Sequence, residues 1–507
     1  MALVAFEGFD HYGTAIGDLL SRRGGGLQWN TLGGAANPAW QSPGRNGSGS
    51  CVAVGQNASF LGTLTNPLTA GYIGFGVQIS NVSFPGNPYI YFYDLHGPGN
   101  VVQFALLLNQ STGGIELWKG ARVSLLAFTP NNTITNDAWN FLEIYFVAGH
   151  TGTVTLRVNG QTVMTASGVD IQAAGAGVHG WVEGIEFHGP AAPTGTSLLI
   201  DDFYVCDTTT GPGVFPNNYY LGDVRVVPLH ATGNYSAPGW TPGPASAHRF
   251  WRLDFLASSG PAVDVAEIQF RSSAGVSLAF SGGASSASGG NAGLAADGNA
   301  ATYWEAFPEA WWQYDYGSLN SLAKLNVVEV AMTIRAGGSV VNAPTRFTLS
   351  YNDSLAGASL SQPDPSSWVQ VADISPTWTM AGQSQTFAVP ALSNWQEVRE
   401  PRADGDGSYN STSTVSAADR FTFEALPATV SNVLAVQVIG AYRKDDAGER
   451  VVQQVLGSGG TEVEGATFSI PQSYVYCYDL YATDPNTSDA WSIAAVNALR
   501  AGYVLAS

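Results

Sequence analysis

Basic residues are scarce in this 507-residue chain: 20 Lys and Arg stand against 39 Asp and Glu, a formal net charge of −19. Nucleic-acid binding needs clustered cations, and these are few and scattered, so no nucleic-acid partner is expected. Acidity spread over so few charges keeps a large surface soluble and says little else about partners. Only three cysteines are present, Cys51, Cys206 and Cys477. They are odd in number and far apart, which excludes a disulfide framework and points to burial as small apolar groups. No stretch approaches the roughly 18 apolar residues of a membrane span, so no membrane insertion is expected. Met1–Glu7 has neither a basic leader region nor a long apolar core, and the expectation is a product made in the cytoplasm that meets the outside by lysis or as part of a particle.

Catalytic signatures are also missing. There is no HExxH, no GxSxG elbow, no P-loop and no Cys/His cluster at metal spacing. The histidines, among them His150, His188 and His248, read as isolated. A retaining glycosidase needs two carboxylates on one strand face about 5 Å apart. Glu183 and Glu186 are three apart, and Asp201 and Asp202 adjacent; neither spacing suits that chemistry. No enzyme is expected.

What the chain does have is glycine, 60 residues, and aromatics at 11%, a composition of strands and turns. The fold class is all-β, and the length suits about three domains. Tyr89–Tyr93 and Phe104–Leu108 read as strands. Val154, Leu156 and Val158 alternate with Thr155 and Arg157, and Asn159-Gly160 supplies a positive-φ turn, so a hairpin with one wet face is predicted there. Thr208–Asn218 is polar and proline-bearing and reads as a linker. Near the C-terminus, Val433–Val438 and Val451–Leu456 flank the charged turn Arg443–Arg450, and Trp491–Tyr503 suits a short strand or a turn of helix.

Three resemblances follow from ordered motifs. The Trp139-led strand, the Asn159-Gly160 hairpin and Ile200-Asp201-Asp202-Phe203-Tyr204 resemble the concanavalin A-like lectin/glucanase (laminin-G-like) jelly roll over residues 1–207. Arg249–Phe255, Val265–Phe270, Ala296–Trp304 and Trp312–Gly317 resemble the discoidin (F5/8 type C) family, β-sandwiches that mostly hold sugars or membrane surfaces. The strand pair around Trp251 and Glu267, which normally closes such a module, opens it here, so it looks circularly permuted. Asn394–Val398 and Asp404–Tyr409 resemble the second half of a domain common among tailed-phage structural proteins. The implied organisation is three β-sandwich or jelly-roll domains: residues 1–207, a linker at 208–218, a discontinuous phage-type domain at 219–245 plus 394–507, and the discoidin-like module, 246–393, inserted into it.

The discoidin resemblance implies a structural calcium ion at Asp297, Asn299, Thr302 and Glu267. The alternative for the same residues is a metal-free Asx-turn with Thr302 bonded locally. For sugar contact the aromatics Trp304, Phe307 and Trp311 are the candidates. Trp304 and Trp312 occupy core positions of the family pattern, whereas Phe307 and Trp311 fall in the intervening loop. Together the resemblances imply a virion component, a head or tail decoration, spike or fibre protein, that engages host-surface polysaccharide, contacts other virion proteins and forms a homo-oligomer. A purely architectural cement protein and a glycan depolymerase remain the alternatives.

Overall fold

The computed structural model describes residues 3–507 except 14, 35–37, 46, 48, 81–88, 98–99, 110, 173–179, 190–196, 210–219, 237–238, 243–249, 272–276, 279, 281–283, 308, 317–326, 353–367, 390–392, 400–401 and 404–408. The expected linker lies almost wholly outside the described residues. Nearly every regular element is a strand, as expected; among the described residues the one α-helix is Ile493–Asn497. Among the described residues no helix is long and apolar enough to cross a membrane.

The chain parts into two compact units, one of Met1–Gly239, Arg399–Asp404 and Thr412–Ser507, the other of Trp240–Val398 and Gly405–Ser411. The first begins as a two-sheet jelly roll. One sheet runs in the order Gln161–Val169, Gly152–Val158, Trp139–Val147, Ala70–Ser80, Ser197–Asp207, Cys51–Val54 and Ala39–Gln41, with Leu3–Glu7 also pairing with Ser197–Asp207. The facing sheet runs Ser124–Phe128, Gly114–Lys119, Val101–Asn109, Tyr89–Gly97, Val182–His188, Ala58–Leu68 and Leu27–Gly34. Alternating residues of both sheets fill the space between, including Trp29, Phe60, Phe75, Ile144, Leu156 and Phe187.

Local sequence dictates much of this pairing. Asn159 and Gly160 have φ of 49° and 78°, and Val158 pairs with Gln161 across the turn, giving the predicted hairpin with Thr155 and Arg157 half-exposed. In Ser197–Asp207 the inward positions change parity, from Leu198 and Ile200 to Phe203 and Val205. A bulge between Asp201 and Tyr204, with Asp202 at a φ of 49°, absorbs the extra residue.

Where three domains were expected, the jelly roll and the C-terminal strands belong to one unit. Arg22–Gly24 pairs in parallel with Val475–Tyr481, which pairs in turn with Val436–Tyr442. Tyr476 and Tyr478 are buried in the jelly-roll core. Arg22 is fully buried and lies 3.8 Å from the Tyr478 ring centroid. Its guanidinium donates to Glu7 and, at 2.8 Å, to the Leu27 carbonyl. Glu7 also accepts from the Tyr12 hydroxyl at 3.0 Å. A second C-terminal sheet runs Ala231–Asn234, Ala418–Phe423, Arg500–Leu505, Val451–Ser458, Thr461–Ser469. The strands flanking the charged turn thus enter different sheets. Trp491–Tyr503 forms both of its alternatives, a helix whose Ser492 side chain accepts from the Ala495 amide, then the strand Arg500–Leu505. The three cysteines are buried and unpaired.

The second unit is a sandwich. Its five-stranded sheet runs Ala284–Ala287, Ala310–Asp315, Phe250–Ser258, Pro344–Asn352 and Val369–Ile374, and its four-stranded sheet Trp304–Ala306, Val263–Arg271, Glu329–Ile334 and Ser384–Ala388. The two segments around Trp251 and Glu267 are therefore not partners in one sheet; each lies in one of the two layers. Trp251, Leu253, Phe255 and Trp312 meet Val265, Ile268, Phe270 and Met332 in the core. Residue 245 lies outside the described residues. The chain enters this unit at Trp240, leaves it after Val398 and rejoins it over Gly405–Ser411; the Asn394 side-chain amide donates to the Trp240 carbonyl at 2.8 Å. Thr241 pairs with Ser411, and Asn410 donates to the Asn394 carbonyl at 3.0 Å.

Candidate functional site

The sequence-chosen residues of the second unit sit on and beside Trp304–Ala306 and Val263–Arg271, which pair antiparallel. Along Val263–Arg271 the core positions shift from Val263 and Val265 to Ile268 and Phe270, because the register slips between Val265 and Glu267. That irregularity turns Glu267 toward the Asp297–Thr302 loop, where its Oε1 accepts from the Gly298 amide at 3.0 Å.

All four expected cation ligands are brought together. Asp297 Oδ1 accepts from the Asn299 amide at 2.9 Å, and Asp297 Oδ2 from the Thr302 hydroxyl at 2.7 Å. The Thr302 amide donates to the Asn299 carbonyl at 3.0 Å. These bonds are the Asx-turn geometry of the alternative, and they occupy both Asp297 oxygens. Glu267 Oε2 is buried without a hydrogen-bond partner. Burial, followed by the neighbouring Asp297 charge, raises the Glu267 pKa despite the Gly298 hydrogen bond. An all-oxygen donor set with one orphaned, buried carboxylate oxygen fits a hard cation such as calcium.

The aromatics do not form one surface. Trp304 is 1% exposed, packs 5.4 Å from Phe255 and donates its indole N–H to the Gly289 carbonyl at 2.6 Å. It is a core residue, like Trp312, whose indole donates to the Ala292 carbonyl at 2.9 Å. Trp311 was expected in a loop, yet it lies in the strand Ala310–Asp315 and is only 7% exposed. Strand alternation turns it away from Trp312 and onto the outer face, where the Arg252 guanidinium sits 4.9 Å from its ring centroid. Arg252 also lies 5.5 Å from Trp368 and is held by Asp254 at 2.8 Å. Sequence reading missed this covering because the cation lies about 60 positions upstream. Phe307 alone offers its ring to water, at 81% exposure. Beside it in sequence, Glu305 is 54% exposed and stands 3.8 Å from Arg335, which in turn lies 3.6 Å from the Tyr303 ring.

In the first unit the adjacent carboxylates Asp201 and Asp202 are buried and engaged. Asp201 accepts from the Arg45 amide at 2.7 Å, and Asp202 from the Val226 amide at 2.9 Å and the Arg45 guanidinium at 3.0 Å. Burial, then the Asp202 charge, pushes Asp201 up to about 8. His188 is not isolated: its Nε2 is 3.3 Å from Glu186 Oε2, which is also 2.9 Å from His96 Nε2. The signal available in sequence was the Glu186-x-His188 spacing, which puts both side chains on one strand face.

No family model and no curated protein matches the sequence. Among solved structures, the chain is similar to domain 4 of AbnA, a GH43 extracellular arabinanase from Geobacillus stearothermophilus in complex with arabinotriose, at 16% identity over 40% of this chain and 91% of that one, with a TM-score of 0.28. It is similar to lectin II from Ulex europaeus at 12% identity over 39% of this chain and 97% of that one, TM-score 0.28. An endo-β-1,4-glucuronan lyase from the fungus Trichoderma reesei is similar at 12% identity over 36% of this chain and 91% of that one, TM-score 0.26.

Proposed function

We propose that the chain is a non-catalytic component of a tailed-bacteriophage virion, a head or tail decoration, spike or fibre protein, that attaches the particle to host-surface glycans. The second unit acts as a discoidin-like module in this reading. The observation that carries it is Phe307, an aromatic ring 81% exposed one residue past the strand Trp304–Ala306. An aromatic face held by a packed sheet receives the C–H side of a pyranose, while polar neighbours meet its hydroxyls. Glu305 and Arg335 supply those polar groups. Many weakly binding copies on one particle raise avidity well above single-site affinity, which favours a symmetric homo-oligomer seated among other virion proteins.

Calcium, where bound at Asp297, Asn299, Thr302 and Glu267, would supply a fixed positive charge beside the buried Glu267 carboxylate and the exposed Asp297. Glu267 then orients the Gly298 amide, and Thr302 ties the loop to Asp297, so the strand leading to Phe307 starts from a rigid turn.

The test is a glycan array with the full chain, followed by a reducing-end assay on any sugar retained. Retention without release supports adhesion. Release of reducing ends would assign a depolymerase instead, and silence across host polysaccharides would leave an architectural cement protein. Phe307→Ala should weaken retention about tenfold, the loss of one stacking contact, with an unchanged melting temperature.

A further inference from the structure

We propose that His96, Glu186 and His188 form a binding site for a divalent transition-metal ion of the zinc type on the outer face of the jelly-roll sheet. The three residues come from two neighbouring strands in the interior of the seven-stranded sheet, Tyr89–Gly97 and Val182–His188. Ile185 and Phe187 are fully buried in the core, so alternation sends Glu186 and His188 to the opposite face. His96 pairs in register with Gly184 and therefore joins them on that face.

The spacing is that of a coordination shell. Nitrogen and oxygen ligands about 2.0–2.1 Å from zinc, at tetrahedral to octahedral angles, stand about 2.9–3.4 Å from one another. Here His96 Nε2 and His188 Nε2 are 2.9 Å and 3.3 Å from Glu186 Oε2, and all three donor atoms lie within 4.8 Å of one another. His96 is 3% exposed, and its Nε2 is buried without an acceptable hydrogen bond. Proximity to the carboxylate at 2.9 Å without hydrogen-bond alignment is how two ligands of one ion are disposed.

The surroundings fix the ligands. His96 Nδ1 is 3.3 Å from the Asn100 carbonyl. A carbonyl only accepts, so Nδ1 carries the proton and Nε2 presents its lone pair, the outer-shell arrangement of metal-binding histidines. Ser59 pairs with His188 in the next strand, on the face that carries Glu186. Gly184 leaves the space the imidazole needs, since a Cβ there would come within 3.0 Å of His96 Cβ. Imidazole and carboxylate donors together select zinc and its neighbours over calcium or magnesium. Three protein ligands leave one or more positions for water or an incoming oxygen ligand. Glu186 and His188 remain 16% and 27% exposed, so the open side reaches solvent.

The experiment uses the full chain without a histidine tag, stripped with chelator and titrated calorimetrically with zinc chloride. One saturable equivalent is expected, with calcium failing to compete. His188→Ala and Glu186→Gln, at the more exposed positions, should each weaken zinc by more than the about 10–100-fold that loss of an outer-shell partner costs. His150→Ala, whose ring is 73% exposed and pairs with Asp170, should leave the affinity unchanged. Cobalt substitution of the unmutated chain provides a readout that does not depend on any variant: visible d–d bands should appear at one equivalent and vanish on adding zinc. Absence of saturable zinc binding, or binding undiminished in His188→Ala with a native circular dichroism spectrum, would leave only an ordinary His–Glu–His ion cluster and overturn the site.

Discussion

Arg22 and Glu7 illustrate what a single buried charge does here. Both are essentially fully buried and joined directly, and removing one partner leaves the other uncompensated, a loss of about 3–5 kcal/mol. Arg22→Ala should therefore lower unfolding free energy by that order in urea titrations; a loss below about 1 kcal/mol, the scale of a surface pair, would contradict it. Trp311→Ala should also destabilise, by about 3 kcal/mol, as expected for a buried indole. If instead the melting point held steady, Trp311 would be a surface ring and the Arg252 covering would be wrong. Burial, followed by the Asp202 and Glu7 charges, pushes Asp10 up to about 7, partly offset by the Ser50 amide. Folded Asp10 and Asp201 keep protons that the unfolded chain releases near 3.8. Their contribution to stability is complete below that value and is lost as pH rises through about 7 to 8. Melting temperature should accordingly be higher at pH 5.5 than at pH 8.5, and Asp10→Asn should flatten the difference. Trp304 and Trp312 were recognisable as core from their motif, whereas Trp311 was not, because nothing near it in sequence announces Arg252.

At the scale of the element, alternation carried most of the information. The 152–169 hairpin followed from Val154, Leu156, Val158 and Asn159-Gly160, and its turn is sensitive: Gly160→Ala, forced to hold a φ of 78°, should cost about 1–2 kcal/mol, readable as a lowered urea midpoint. Two irregularities were equally present in the letters. Leu198 and Ile200 give way to Phe203 and Val205, and Val263 and Val265 to Ile268 and Phe270; each parity change marks a bulge that re-aims a carboxylate. The His96 cluster was half legible, since Glu186-x-His188 fixes a shared face but the partner strand lies 90 positions away and only register supplies it.

For the whole molecule, the all-β class and the two-layer architectures could be read from composition and turn spacing. The grouping into units could not, because it depends on Arg22–Gly24 leaving the N-terminal region to complete a C-terminal sheet. Residues 1–207 expressed alone would expose the faces that Tyr476 and Tyr478 cover, and should bind hydrophobic dye and melt well below the full chain. A fragment with undiminished melting temperature would show the jelly roll to be self-sufficient.

The clasp of Trp240, Asn394 and Asn410 has a consequence for how such a chain can change. Because the polypeptide departs and returns at adjacent points, the intervening sandwich could be exchanged as a cassette for another, with neither flanking β-ladder needing to slip.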